Sequence, residues 1–94
     1  MWYTYILECN DKTLYCGITN NIAKRLLAHK QGKGAKYTKT HGANKFVYIK
    51  TQKNKSSALR EEFRIKNLKR KDKLILAKAY KFDEKSSIRN TAVL

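Results

Sequence analysis

Runs of apolar and aromatic residues divide this chain into short strands and amphipathic helices. Trp2 to Glu8, "WYTYILE", is rich in aromatic and β-branched residues and predicts a strand. Asn10-Asp11-Lys12 is a turn signal and Thr13 to Ile18 predicts a second strand, so the two form an antiparallel hairpin. Within "LYCGIT", Leu14 to Thr19, the glycine is expected where the strand ends and turns. Asn20 or Asn21 can cap a helix running to about Lys30, in which Ile22, Ala23, Leu26 and Leu27 form one apolar stripe. "QGKGAKYTKTHGANK" then reads as a basic, glycine-containing loop, and Phe46 to Thr51 as a third strand. Ser56 or Ser57 can cap a second helix to about Leu68, and a third helix follows over roughly Lys71 to Tyr80. The order β-β-α-β-α-α predicts an α+β domain over residues 1–80, a small antiparallel sheet flanked by three helices. Residues 81–94 show no period and are expected to form a flexible C-terminal tail.

Length and charge narrow the picture. A chain of 94 residues is read as one domain with one core. Lys and Arg number 22 against 7 Asp and Glu, a formal +15, which concentrates polyanions at the surface and makes nucleic acid the expected partner. A merely lysine-rich soluble surface has the same composition. No basic amphipathic helix with bulky aromatic anchors speaks for a membrane, and no apolar run is long enough for a span or signal peptide, so a cytoplasmic protein is expected. Cys9 and Cys16 fit neither a disulfide framework nor a zinc spacing and are expected to be free thiols with no disulfide partner.

Three features suggest chemistry. Tyr3, Tyr5 and Leu7 share one face of the first strand, and Tyr15 lies within a residue or two of facing Tyr5; ordinary cross-strand pairing accounts for this equally well. Arg25 and His29 are spaced i, i+4 and sit on the edge of the first helix's apolar stripe, with Lys24 turned to solvent. In the second helix the mean direction of Ala58, Leu59, Phe63 and Ile65 falls within roughly 15° of Glu62, and Glu61 lies over ~100° away. A carboxylate on a buried face needs a cation: Lys66 at i+4, an arginine from elsewhere, or a metal ion. Two phenols, a guanidinium, an imidazole and a carboxylate beside a basic loop suit phosphodiester hydrolysis. The carboxylate would hold Mg²⁺ and the guanidinium would fork onto phosphate oxygens.

The runs "WYTYILECNDKTLYCGITNNIAKRLLAHKQGKGAKYT" and "SALREEFRIKNL" resemble the small single-domain bacterial branch of the GIY-YIG nuclease superfamily. Thr4-Tyr5-Ile6 stands where the paired signature begins and Tyr15-Cys16-Gly17 where it ends, though neither Gly-Ile-Tyr nor Tyr-Ile-Gly is literally present. The resemblance implies a three-stranded antiparallel sheet flanked by helices and a Mg²⁺- or Mn²⁺-dependent DNA endonuclease. It makes Tyr5 and Tyr15 the signature tyrosines, Arg25 the phosphate-binding arginine, His29 the proton-transfer partner or general base, and Glu62 the single metal ligand. The segment Gly32–Thr38 is similar to a signature of this branch; in it Lys33 and Lys36 are expected on backbone phosphates and Tyr37 on a base. Ile18 stands where some branches carry lysine, which turns attention to neighbouring lysines or to His29 as the base. With no second domain in sight, single-stranded or structured DNA is the expected substrate. The competing reading is a nucleic-acid-binding module with the same fold and no catalysis, for which RNA is as suitable as DNA.

Overall fold

The structure, a computed structural model, describes residues 1–78. Strand β1 (Trp2–Cys9) lies in the middle of a three-stranded sheet, with β2 (Leu14–Thr19) on one side and β3 (Ala43–Gln52) on the other. Both neighbours run antiparallel to it. Tyr5 stands opposite Gly17 and Ile49; Leu7 stands opposite Tyr15 and Phe46. The hairpin closes through the Cys9 N–H to the Thr13 carbonyl at 2.8 Å, with Lys12 in the left-handed region at φ 71°.

Helix α1 (Ile22–Lys30) begins where the Asn21 side chain accepts from the Lys24 N–H at 3.0 Å. Helix α3 (Lys55–Lys66) is capped by Asn54, whose side chain accepts from the Ser57 N–H at 2.8 Å. Ser56 and Ser57, the expected caps, therefore lie inside its first turn. A short α2 (Lys36–His41) forms within the segment that reads as a loop. "KYTKTH" has no apolar period, so its helix rests on tertiary bonds of Thr38 and on Gly42, which ends it at φ 76° with its N–H on the Thr38 carbonyl at 2.9 Å. A further helical run covers residues 70–78. The expected tail and the end of the last helix lie outside the described residues. No described helix is long and apolar enough to cross a membrane.

Alternation along the strands sends side chains to two separate cores. Tyr5, Leu7 and Phe46 pack on one face with Tyr15, Ile22 and Leu26. Ile6, Cys16, Tyr48 and Ile65 pack on the other, with Leu14 and Leu76 against them. The Thr4 hydroxyl ties α3 to β1 by donating to the Ala58 carbonyl at 3.0 Å. Cys9 and Cys16 are both buried, free thiols.

Candidate active site

Tyr5 is fully buried, with Phe46 edge-on to its ring at 4.9 Å between centroids. Gly17 lies directly beneath it. A Cβ there would stand 2.6 Å from the Tyr5 hydroxyl oxygen and 2.8 Å from its ring carbon Cζ, distances that side-chain atoms do not tolerate. The glycine is therefore not a turn residue. It sits inside β2 and makes room for a phenol on the neighbouring strand. The Tyr15 ring stands 6.4 Å from that of Tyr5 and 5.4 Å from that of His29.

Helix α1 is rotated from the orientation its apolar stripe predicts. Leu27 is exposed and His29 is its buried residue, so the inward face centres between Ile22, Arg25, Leu26 and His29. Hydrogen bonding sets this rotation: it brings both polar side chains to the Tyr5 hydroxyl. The Arg25 Nε–H donates to the Tyr5 oxygen at 3.3 Å, and an Nη2–H of the same guanidinium donates to the Gly34 carbonyl at 3.2 Å. Tyr5 Oη and His29 Nε2 are 2.7 Å apart, and His29 Nδ1 and Thr38 Oγ1 are also 2.7 Å apart.

The proton directions follow from counting donors. Thr38 has one hydroxyl proton, and it goes to the Ala35 carbonyl at 3.1 Å. Its oxygen must then accept from His29 Nδ1–H, which leaves Nε2 as a lone pair to accept from Tyr5. Burial, helped by the nearby Arg25 charge, holds His29 down at about 4, so the imidazole is neutral near pH 7. Burial pushes Tyr5 up to about 12, against the opposing pull of Arg25, so it is a phenol. The result is one polarised series from guanidinium to backbone carbonyl. Thr38, Ala35 and Gly34 were not legible as site residues. Thr38 carries no sequence signal beyond its place at the end of the Gly32–Thr38 segment.

Arg25 and Tyr15 are half-buried at the mouth of this series. Tyr37 lies against Tyr15 with ring centroids 5.9 Å apart, and His41 stacks on Tyr37 at 4.2 Å. His41 in turn pairs with Asp11 of the hairpin turn. Bonds from Thr13 and from His41 hold the Asp11 carboxyl down at about 2. Tyr37 is thus the middle of an aromatic ladder rather than a lone platform, while Lys33 and Lys36 are exposed beside it.

Glu62 is not brought into contact with this cluster. It projects from α3, which packs on the opposite face of the sheet, and its carbonyl lies 4.0 Å from the Cys16 thiol on edge strand β2. The expectation that it occupies the middle of a buried face is corrected. Ala58 and Ile65 form that middle, Phe63 is 72% exposed, and Glu61 and Glu62 flank it on either side. The projection erred because Leu59 and Phe63 are exposed apolar residues that pulled the mean direction toward solvent. The two carboxylates differ in partners. Glu61 binds Arg64 through two bonds at 2.9 and 2.8 Å, lies 3.6 Å from Lys50 and accepts from Tyr48 at 3.4 Å; Arg64 above all holds its pKa down. Glu62 meets the exposed Lys66 at 3.7 Å.

Comparison with known proteins places this arrangement. The GIY-YIG catalytic domain family matches residues 1–75. The UPF0213 protein OB0043 of Oceanobacillus iheyensis is 53% identical over 79% of this chain and 86% of its own length. The UPF0213 protein CPE1444 of Clostridium perfringens is 45% identical over 92% of each. The solution NMR structure of the UPF0213 protein BH0048 from Bacillus halodurans is 39% identical, covers 84% of this chain and 85% of that one, and superposes with a TM-score of 0.54. With Tyr5 and Tyr15 as diagonal neighbours across β1 and β2 and Arg25 bonded to Tyr5, this chain belongs to the GIY-YIG family, in the branch of the UPF0213 proteins.

Proposed function

We propose that the protein is a divalent-metal-dependent endonuclease that hydrolyses phosphodiester bonds in DNA, with single-stranded or structured DNA preferred. The observation that carries this reading is the buried Arg25–Tyr5–His29 series. It anchors a half-buried guanidinium and backs it with a neutral proton acceptor. Arg25 is anchored through Nε and one Nη2–H, so its outer N–H groups are pre-oriented for phosphate oxygens. A surplus of 15 positive charges draws the polyanion in. Unstacked bases would extend the Tyr15–Tyr37–His41 ladder.

The donor set fits a hard cation. Glu62 offers a carboxylate whose described partner is a long ion pair to an exposed lysine. Among the described residues no group of three or more His, Cys, Asp or Glu gathers, so Glu62 would hold the ion together with waters and phosphate oxygens, as Mg²⁺ prefers and Mn²⁺ accepts. Held there by Glu62, such an ion would supply Lewis-acid polarisation of a phosphate and charge stabilisation for a leaving oxygen. Within the chain itself, Tyr5 hands its proton toward His29 Nε2 behind the half-buried Arg25 and Tyr15. Tyr5 is 0% and His29 1% exposed, which makes the two a buried proton-transfer pair rather than direct bases.

The position of Glu62 across β2 from the cluster favours a second reading, a binding module without catalysis. One assay separates the two. Labelled single-stranded, duplex and branched DNA, and RNA, are incubated with wild type and Glu62→Ala in Mg²⁺, Mn²⁺ or EDTA. Metal-dependent cutting of DNA that disappears in Glu62→Ala while binding persists supports the nuclease. Absence of cutting on every substrate, with binding unchanged by the substitution, supports the module.

A further inference from the structure

We propose that Thr38 is a positioning residue that fixes His29 in the Nδ1–H tautomer and so keeps the Nε2 lone pair on the Tyr5 hydroxyl. This rests on the nuclease reading for its kinetic consequence, but not for its structural content.

Thr38 is 1% exposed, on the first turn of α2, and among the described residues its hydroxyl bonds to His29 and Ala35. Its hydroxyl has two neighbours of opposite demand. The Ala35 carbonyl can only accept, so the single hydroxyl proton is directed there. The oxygen facing Nδ1 is therefore an acceptor, and the imidazole must present a proton to it. A neutral histidine in water prefers the opposite tautomer, with the proton on Nε2. In that form His29 would compete with Arg25 as a second donor to Tyr5, and the buried phenol proton would lose its acceptor on His29.

The same segment holds the ring from a second side. Gly34 packs against the imidazole so closely that a Cβ would stand 2.8 Å from its Cγ and 2.9 Å from its Cε1. The Gly34 carbonyl accepts a hydrogen bond from Arg25 Nη2. Residues 34–38 thus brace both polar side chains of α1 at once. Gly34 supplies contact and a carbonyl, Ala35 an acceptor, and Thr38 the bond that selects the tautomer. The reason for a six-residue helix in an otherwise apolar-poor segment is then physical: its first turn presents the Thr38 hydroxyl to Nδ1.

The test combines a structural and a kinetic readout on the full chain. Imidazole ¹⁵N NMR at pH 7 is recorded for wild type, Thr38→Ser and Thr38→Val. The expected result is Nδ1–H in wild type and in Thr38→Ser, and a shift toward Nε2–H in Thr38→Val, which keeps the shape but loses the acceptor. Cleavage under saturating and subsaturating DNA is expected to show kcat lowered roughly 10- to 100-fold in Thr38→Val with KM near wild type, and restored within a few-fold by Thr38→Ser. An Nε2–H wild type overturns the proposal, as does a folded Thr38→Val whose tautomer or kcat is unchanged. Should Thr38→Val fail to fold, the wild-type tautomer decides alone. A wild type that cuts nothing overturns the nuclease reading, and the ¹⁵N spectra still decide whether Thr38 sets the tautomer.

Discussion

The two faces of the sheet are built from alternate residues of the same strands, yet they solve opposite problems. Under α3 the contacts are mostly apolar: Ile6, Cys16, Tyr48 and Ile65 close a core crossed by the Thr4 bond to the Ala58 carbonyl, and the carboxylates Glu61 and Glu62 stay at its flanks. Under α1 polar groups lie as deep as the apolar Leu7: Tyr5, His29 and Thr38 are each 1% exposed or less and are joined in one hydrogen-bonded series. An apolar core is tolerant of volume-conserving change and contributes stability. A buried polar series is intolerant of losing any member, because each loss strands a partner. The difference separates what holds the fold from what positions the chemistry.

The sharpest way to break this division is a pair of truncations. Ile65→Ala is expected to cost about 2–5 kcal/mol of stability while leaving cleavage per folded molecule near wild type. Arg25→Ala is expected to lose roughly 10²- to 10³-fold in cleavage with a smaller change in denaturation midpoint. Denaturant melts and initial rates on both variants check the contrast; equal effects on both readouts would erase it. Next in size is Gly17→Ala. Its methyl displaces the Tyr5 hydroxyl, so cleavage should fall at least ~10-fold while a cavity-free β2 still folds, readable by rate and by circular dichroism.

Proton linkage sharpens the same contrast. Folded His29 sits at about 4 against 6.5 in the unfolded chain. Between those values a falling pH protonates the unfolded chain first, so stability present above pH 6.5 drains away toward pH 4. The full effect is on the order of 3 kcal/mol for a group this buried, with Tyr5, Arg25 and Tyr15 facing it. Urea melts at pH 7 and pH 4.5 should show that slope in wild type and lose it in His29→Gln. The smallest effects belong to the rim. Lys33→Ala or Lys36→Ala should weaken DNA binding a few-fold and reduce the salt dependence of log K by about one contact's worth. Glu61→Gln should leave cutting intact, in contrast to Glu62→Gln, as initial rates on both variants would show.

The strands were legible because they rest on local pattern. The hairpin turn, the aromatic alternation and the Asn21 cap all act within a few residues, and β1, β2 and α1 fall where that pattern puts them. The rotation of the helices was not legible. In α1 the apolar stripe pointed at Ala23 and Leu27, but the Tyr5 hydroxyl draws Arg25 and His29 inward and leaves Leu27 outside. In α3 two exposed apolar residues misled the projection in the same way. Helix α2 was hidden because its reason for existing is a bond to His29, nine residues earlier in sequence. Gly17 carried a visible signal with the wrong explanation attached, since a close approach across strands looks in sequence like a turn. The gathering of Tyr5, Tyr15, Arg25 and His29 came from the family resemblance more than from the periodicities.

The most direct measurement is single-turnover DNA cleavage by wild type and Tyr5→Phe at matched folded fraction. The substitution deletes one oxygen, the one that joins Arg25 to His29. If the buried polar series drives the chemistry, Tyr5→Phe binds DNA as wild type does and cuts roughly 100-fold or more slowly. A rate within a few-fold of wild type would contradict that claim and move the chemistry elsewhere on the molecule.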